Sequence, residues 1–348
     1  MRVLVGLSGG VDSSVAAALL LEAGHDVVGA TMKLWGGAGD SGCCSVGDVE
    51  DARRVASRLG IEHHVFNFSE EFEEAVVAPY AAAHAAGRTP NPCIECNRHL
   101  KFRRFLDRAV RLGFDAVATG HHARVAGNAP GGSPRLLRGR DSAKDQSYVL
   151  SMLTVHELAR VLLPVGELTK SDVRAHAAGL GLPTATKPDS QEVCFVAAGP
   201  GQGPRRSFLA ERIELHPGRL VERATGAVVG TVSAVELVTV GQRRGLGISA
   251  PGRHYALEVD AATATVTVGT EDDLLTNEVE LTGRTWVAGP LPVGALALAQ
   301  SSAHGRARPV SLTESGICYL EGPDRRVAPG QTVALYVGDE VVGSGTAA

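Results

Sequence analysis

Two features of this chain have residue types and spacing suited to chemistry. One is a glycine- and serine-rich loop near its start, the other a set of spaced cysteines. Gly6-Leu7-Ser8-Gly9-Gly10-Val11-Asp12-Ser13-Ser14 follows an apolar stretch and leads into another. Glycines let backbone amides approach an anion, a helix start adds a favourable dipole, and serine hydroxyls supply further donors. The plainer alternative is a turn that caps a helix through Asp12 or Ser13. The Walker pattern G-x-x-x-x-G-K-[ST] is absent, which argues against cleavage of a β–γ phosphate bond. Cys93 and Cys96 form a C-x-x-C within Thr89-Pro90-Asn91-Pro92-Cys93-Ile94-Glu95-Cys96-Asn97. This spacing predicts a thiol pair just ahead of a helix. The helix start would favour a thiolate at Cys96, and the two prolines would keep the approach stiff and non-helical. Cys194 lies much further along, in Asp189-Ser190-Gln191-Glu192-Val193-Cys194-Phe195. Cys318, among β-rich residues, reads as a small buried hydrophobe, and adjacent Cys43-Cys44 is poorly shaped to chelate one ion. A zinc site would want a fourth ligand at recognisable spacing, and none is apparent, although the 12 histidines leave one open.

The elements that must position these residues follow from hydrophobic patterning. Strands are expected at 2–7, 26–34, 62–68 and 115–119, and helices at 12–23, 48–59, 70–86 and 97–112. Strands alternating with helices predict a parallel sheet covered on both faces, with nucleotide bound at the carboxyl ends of its strands. Beyond about residue 195 short alternating runs separated by Gly or Pro take over, at 230–235, 255–259, 263–268, 293–299 and 332–337. That is the pattern of one or two small barrels. Gly199-Pro200-Gly201-Gln202-Gly203-Pro204 reads as the linker between the halves, with one more helix at 205–213. The expected division is 1–198, 205–275 and 276–348.

Composition narrows the class. The chain has 348 residues, 44% of them apolar, enough for two or three domains and far from a disordered protein. Its longest apolar run, seven residues from Val15 to Leu21, is well short of a membrane span. The start shows no apolar signal segment, so secretion is not expected, and six cysteines are too sparse for a disulfide scaffold. A reducing cytoplasm is expected instead. The net charge of −4 gives no global signal for nucleic acid. The expected helix 97–112 nevertheless gathers Lys101, Arg104, Arg108 and Arg111 on one face, opposite Phe102, Phe105, Ala109 and Leu112. Such a stripe is either a solvated face or a place for phosphates.

The loop Ser8-Gly9-Gly10-Val11-Asp12-Ser13-Ser14 resembles the PP-loop of ATP pyrophosphatases, which adenylate a substrate and release pyrophosphate. An ordered set of further runs is more specific: Gly87-Arg88-Thr89-Pro90-Asn91-Pro92, Cys96-Asn97 with Lys101-Phe102, Ala118-Thr119-Gly120-His121, and Lys144-Asp145-Gln146-Ser147-Tyr148. Pro164-Val165-Gly166-Glu167-Leu168, Asp189-Ser190 with Cys194-Phe195, and Thr239-Val240-Gly241-Gln242-Arg243-Arg244-Gly245-Leu246-Gly247-Ile248 follow. Together they resemble the tRNA-specific 2-thiouridylases over nearly the whole chain. The resemblance implies an α/β fold: a parallel-sheet PP-loop domain, of the adenine nucleotide alpha hydrolase type, followed by two small β-rich domains. It implies ATP, with Mg2+, on Gly6, Leu7, Ser8, Gly9, Gly10, Val11, Asp12 and Ser13, with Met32 and Gly120 near the nucleoside. Cys96 matches the catalytic nucleophile and Cys194 the cysteine that receives a persulfide from a sulfur-donor protein or cysteine desulfurase. Their disulfide would be the spent state. Asn91, Pro92 and Cys93 match the contact to the target base, and His121, Lys144, Asp145, Gln146 and Gln331 match tRNA contacts. Residues 302–306 match a basic–aromatic contact only poorly. Cys93 stands where some members carry an aspartate, so Cys93, Cys96 and Cys194 could instead hold a [4Fe-4S] cluster that carries the sulfur. The competing readings are another PP-loop activating enzyme, such as a lysidine synthetase or an amidating ligase, an RNA-binding module without catalysis, and a structural zinc at Cys93 and Cys96.

Overall fold

The first half is built around strand β1 (Arg2–Gly6), whose Val3, Leu4 and Val5 are fully buried. Each contributes about 1.5–3 kcal/mol of burial. With β2 (Asp26–Lys33), β3 (His63–Asn67), β4 (Ala116–Ala118), β5 (Ala123–Ala126), β6 (Arg135–Arg138) and β7 (Val161–Leu162), the elements of this half include two distinct ladders. Five strands form an all-parallel sheet in the order β3-β2-β1-β4-β7. The order reverses between β1 and β4, and the crevice at such a reversal is where this architecture binds ligands. The computed structural model describes residues 1–35, 45–127, 132–189, 193–196, 203–249 and 252–348. Cys43, Cys44 and positions 199–202 of the expected linker lie outside the described residues.

Helix Val11–Glu22 packs beside the sheet through Val11, Val15 and Ala16 against Val165, Val173 and Ala177. Helix Val46–Leu59 starts at a capping box in which the Ser45 hydroxyl accepts from the Asp48 amide at 3.1 Å. The expected helix 70–86 spans 69–85 with a π-helical segment, Glu73–Val77, inside it. The next helix departs from expectation. It starts at Pro92 rather than after Cys96 and runs to Arg111, passing through a π-helical stretch at Asn97–Arg104. Pro92 sits in the first turn, where its missing amide hydrogen costs nothing, and the Asn91 side-chain Oδ1 accepts from the Cys93 amide at 3.1 Å. The prolines therefore start the helix instead of excluding it.

The second half is all-β apart from helix Pro204–Ala210 and short 3-10 turns. β8 (Gly218–Glu222), β9 (Val228–Val232), β10 (Tyr255–Asp260) and β11 (Thr265–Gly269) form a sheet in the order β10-β11-β8-β9 around Leu220, Val235, Ala256 and Val266. β12 (Leu275–Thr276) and β17 (Asp324–Arg325) make a small ladder. β13 (Glu278–Trp286), β14 (Leu296–Gln300), β15 (Arg308–Leu312), β16 (Gly316–Tyr319), β18 (Thr332–Val337) and β19 (Glu340–Ala347) close into a barrel through β13–β19 pairing. The β5–β6 hairpin leaves the parallel sheet and joins this barrel, with Leu137 opposite Glu340 and Leu136 opposite Val341. Leu136, Val287, Ala334, Tyr336 and Val341 accordingly share one core with the interior of the first half. Cys318 is only partly buried, on β16 opposite Glu278 and Ser311, rather than in the barrel core.

Candidate active site

The loop after β1 and the loop after β4 meet at the point of strand reversal and form the floor of a cleft of about 660 Å3. Two glycines make that meeting sterically feasible. Gly9 has φ of +72°, and a Cβ there would lie 2.4 Å from the Asp48 carbonyl oxygen. A Cβ on Gly120 would lie 2.4 Å from the Ser13 amide nitrogen. Helix Val11–Glu22 begins after Gly10, which makes no side-chain cap, so Asp12 and Ser13 are not the cap residues. The Ser13 hydroxyl instead accepts from the Ser8 amide at 3.2 Å and holds the loop's shape. Gly6, Leu7, Ser8, Gly10, Val11, Asp12 and Ser13 line the cleft, together with Met32, Gly120 and His121. Gly9 packs behind the loop, against Asp48.

The cleft is dense in fixed charge. Lys170 Nζ donates to both oxygens of Asp12, at 2.8 and 2.7 Å, and lies 2.8 Å from Asp189. His122 Nε2 meets Asp12 Oδ1 at 3.0 Å. Burial alone would raise the Asp12 carboxyl, but the bonds from His122 and Lys170 outweigh it and hold the pKa below its usual value. Asp189 also accepts from Lys144 at 2.9 Å and Arg174 at 3.0 Å. There too burial pushes upward, and Lys144 and Lys170 bring the carboxyl down to about 2. Lys187 bridges Asp48 and Asp51, at 2.7 Å each. His121 is buried, its ring 2.8 Å from the Thr119 hydroxyl, and burial first, then the fields of Lys101 and His122, push its pKa well below the usual histidine range.

Loop 144–147 forms another wall. Lys144, Asp145 and Gln146 line the cleft, but Asp145 turns its carboxylate inward. That carboxylate accepts from the Gly139 and Ser147 amides, at 2.9 and 3.0 Å, and from Arg138 at 2.9 Å. The barrel reaches the cleft as well, through Ala303 and His304.

The cysteine helix adjoins this cleft. Asn97, next to Cys96, donates to the carbonyl of Val149 at 3.0 Å, and Val149 lines the cleft. Cys93 is exposed on the first turn, whereas Cys96 is buried one turn on, so the expected place of Cys96 at the helix start belongs to Cys93. Cys194 is half-buried, and its neighbour Phe195 is enclosed by Phe72, Tyr80 and Phe208 at ring-centroid distances of 5.5, 5.5 and 5.1 Å. Burial raises the Tyr80 phenol; Arg205 opposes this, and the nearby Cys93 adds to it. Cys93 and Phe195 thus approach the same ring. Ser190, Gln191 and Glu192 lie outside the described residues. Gln331 donates to the Thr89 carbonyl at 2.6 Å, so the barrel braces the segment that leads into Asn91 and Pro92.

Of the basic stripe, Arg104, Arg108 and Arg111 are exposed, but Lys101 leaves it to line the cleft. The expected face assumed α-helical spacing, and Lys101 falls in the π-helical stretch. Phe102, Phe105 and Ala109 are fully buried, whereas Leu112 is 44% exposed beyond the helix end.

Sequence reasoning did not single out Lys170, His122, Lys187 or Asp48. Lys170 carries a readable signal. It occupies the first position of helix Lys170–Gly179, where a cation opposes the helix dipole and calls for a carboxylate partner.

Among the described residues no three His, Cys, Asp or Glu side chains are grouped to hold a metal ion.

A parallel sheet with a glycine-loop cleft at its reversal defines a nucleotide-binding α/β domain. Residues 1–198 match the family model described as tRNA methyl transferase HUP domain, 206–270 a tRNA methyl transferase PRC-barrel domain, and 311–347 an aminomethyltransferase beta-barrel domain. A tRNA-specific 2-thiouridylase MnmA of Salinispora arenicola is 46% identical over 100% of this chain and 99% of its own length. Those of Mycolicibacterium paratuberculosis and Roseiflexus castenholzii are each 44% identical, over 100% and 99% of this chain and 99% and 98% of their own lengths. The chain belongs to the tRNA-specific 2-thiouridylase family. A solved U34-tRNA thiolase NcsA of Methanococcus maripaludis with its [4Fe-4S] cluster covers 61% of this chain and 63% of its own, at 18% identity and TM-score 0.36, too remote to place a cluster here.

Proposed function

We infer that this protein is an ATP-dependent tRNA uridine thiolase, a sulfurtransferase that converts the wobble uridine of tRNA to 2-thiouridine with release of AMP and pyrophosphate. The observation that carries this is the join between the two chemistries: the Asn97 amide ties the helix of Cys93 and Cys96 to the wall of the phosphate cleft.

In this reading the loop amides and Ser8 and Ser13 hold the ATP phosphates, with Met32 and Gly120 against the nucleoside. Lys170, already paired with carboxylates, turns its charge to the departing pyrophosphate. Mg2+ commonly takes only one or two protein carboxylates alongside substrate phosphates, and Asp12 and Asp189 face the cleft to supply them. The ion would neutralise phosphate charge. The target uridine leaves its anticodon stack, as base-modifying enzymes require, and meets Asn91, Pro92 and Cys93 beside the exposed helix start. Its C2 oxygen attacks the α-phosphorus, pyrophosphate leaves, and C2 becomes electrophilic. Cys194, loaded as a persulfide by a donor protein or cysteine desulfurase, attacks C2 through its terminal sulfur and AMP departs. The Cys96 thiolate then attacks the Cys194 Sγ and breaks the S–S bond, leaving sulfur on C2 and a Cys96–Cys194 disulfide that a thiol must reduce. Dividing one difficult displacement into steps is the rationale for two cysteines.

The exposed Arg104, Arg108 and Arg111 support phosphate contacts from tRNA. Lys144, Gln146 and His121 lie where the cleft would meet the substrate, while Asp145 and Gln331 act by holding the segments beside it. No helix among the described residues is long and apolar enough to cross a membrane, and the thiol chemistry suits a cytoplasmic setting. Incubation with unmodified tRNA, ATP and a persulfide source, followed by nucleoside mass spectrometry, should yield 2-thiouridine. Its absence under both aerobic and anaerobic conditions overturns the reading.

A further inference from the structure

Arg138, on the β5–β6 hairpin, stands where the first half of the chain meets the barrel. Its Nη1 donates to Asp145 Oδ2 and its Nη2 to Gln300 Oε1, both at 2.9 Å, while its guanidinium lies over the Tyr336 ring, 3.7 Å from the centroid. Gln300 is buried and passes the connection on, donating to the carbonyls of Ser302 and Ala303 at 2.9 and 3.2 Å. Ala303 and His304 of that turn line the cleft. On the other side, Asp145 fixes loop 144–147, and Gln146 accepts from the His122 amide at 2.8 Å. His122 in turn meets Asp12. A continuous run of bonds thus leads from the barrel turn to the glycine loop. The Arg138 guanidinium, Gln300 amide and Asp145 carboxylate keep these bonds only when barrel and cleft are in register, and a shift between them would leave the three short of partners.

We propose that Arg138 is a positioning residue that makes the nucleotide cleft a joint product of two domains, holding barrel turn 302–305 against loop 144–147 so that tRNA seated on the barrel tightens the grip on ATP. This rests on the reading of the protein as a tRNA thiolase for the identity of the RNA and for its seat on the barrel. The energetic content is a coupling free energy between two binding events, which need not alter either affinity alone.

The test measures equilibrium binding of α,β-methylene-ATP to the full-length protein with and without unmodified tRNA, alongside tRNA affinity and Tm. In the wild type, tRNA should tighten nucleotide binding by about fivefold or more. Arg138→Lys and Gln300→Ala should each reduce that to near onefold. Binding of tRNA alone and nucleotide alone should stay within about twofold of wild type, and the double variant should lose no more than either single one. Three results overturn the proposal: no tightening in the wild type, tightening retained in both variants, or a fall in Tm with tightening intact, which would make Arg138 simple interdomain glue. Should tRNA tighten nucleotide binding while no 2-thiouridine forms, the functional reading fails and the coupling stands.

Discussion

The nucleotide cleft and the cysteine helix are neighbours held by different forces. The cleft walls are tied by short charged bonds, among them Lys170 to Asp12 and Asp189, Lys144 to Asp189, and Lys187 to Asp48 and Asp51. The thiols are held by hydrocarbon and rings: Ile94 and Cys96 are buried, and Phe195 is anchored beside Cys194 by Phe72, Tyr80 and Phe208. Directed bonds keep donors where phosphate charge will develop, which suits adenylation. Apolar packing is non-directional, and it shields a thiol from water. On the proposed reading, ATP activation is pre-organised in this fold, whereas sulfur delivery would rely on a helix and a ring cluster.

That contrast can be broken by separating the two half-reactions. Cys96→Ser and Cys194→Ser should each lower 2-thiouridine formation by roughly 10^3-fold or more, read by nucleoside mass spectrometry. Pyrophosphate release dependent on tRNA should persist in both. Loss of pyrophosphate release would instead place the thiols in the activation step. Lys170→Met should act earlier, cutting tRNA-dependent pyrophosphate release by about 10^2–10^3-fold. A variant releasing pyrophosphate at the wild-type rate would show that Lys170 is only a salt-bridge partner.

Acid should sharpen the contrast group by group, because the histidines and the carboxylates titrate in different windows. His84, edge-on to the Tyr80 ring and bonded to the Glu236 carbonyl, has its pKa lowered by burial, with the Glu236 bond opposing, from 6.5 to about 4. A folded pKa below the unfolded one means stability that is complete above pH 6.5 and is lost as pH falls toward 4, up to about 3 kcal/mol. Asp189, with a carboxyl at about 2 against 3.8, gives way only as pH falls from 3.8 toward 2. Thermal melts should therefore weaken through His84 in the ring cluster and His121 in the cleft before Asp189 gives way, and His84→Gln should flatten the slope between pH 6.5 and 4. An unchanged slope would remove His84 from this account. The smallest effect belongs to the cap. Asn91→Ala should cost about 1 kcal/mol of stability in urea melts, through the Cys93 amide it leaves uncapped.

Much of the cleft was legible before any fold was known. The glycine loop, the run Ala118-Thr119-Gly120-His121 and the run Lys144-Asp145-Gln146 meet at one cavity, as their order along the chain suggested. The helix start at Pro92 was misread because proline was weighed as a helix breaker, although Asn91 and Pro92 together spell a cap and a first turn. Lys101 was assigned to the wrong face because a π-helical stretch alters the angular spacing that the pattern assumed.

The amino-acid sequence alone determined the local and periodic properties: most strands and helices of the first 120 residues, which loop can cradle phosphate, and where the chain turns from α/β to β. These depend on residues near one another in the chain, and on a resemblance carried by short runs. Only the tertiary structure decided that Lys170 reaches Asp12 across 158 positions, that hairpin β5–β6 joins the barrel, and that Arg138 meets Gln300 across 162. Such pairs are selected by the packing of whole sheets, and no pattern within a window of sequence encodes them.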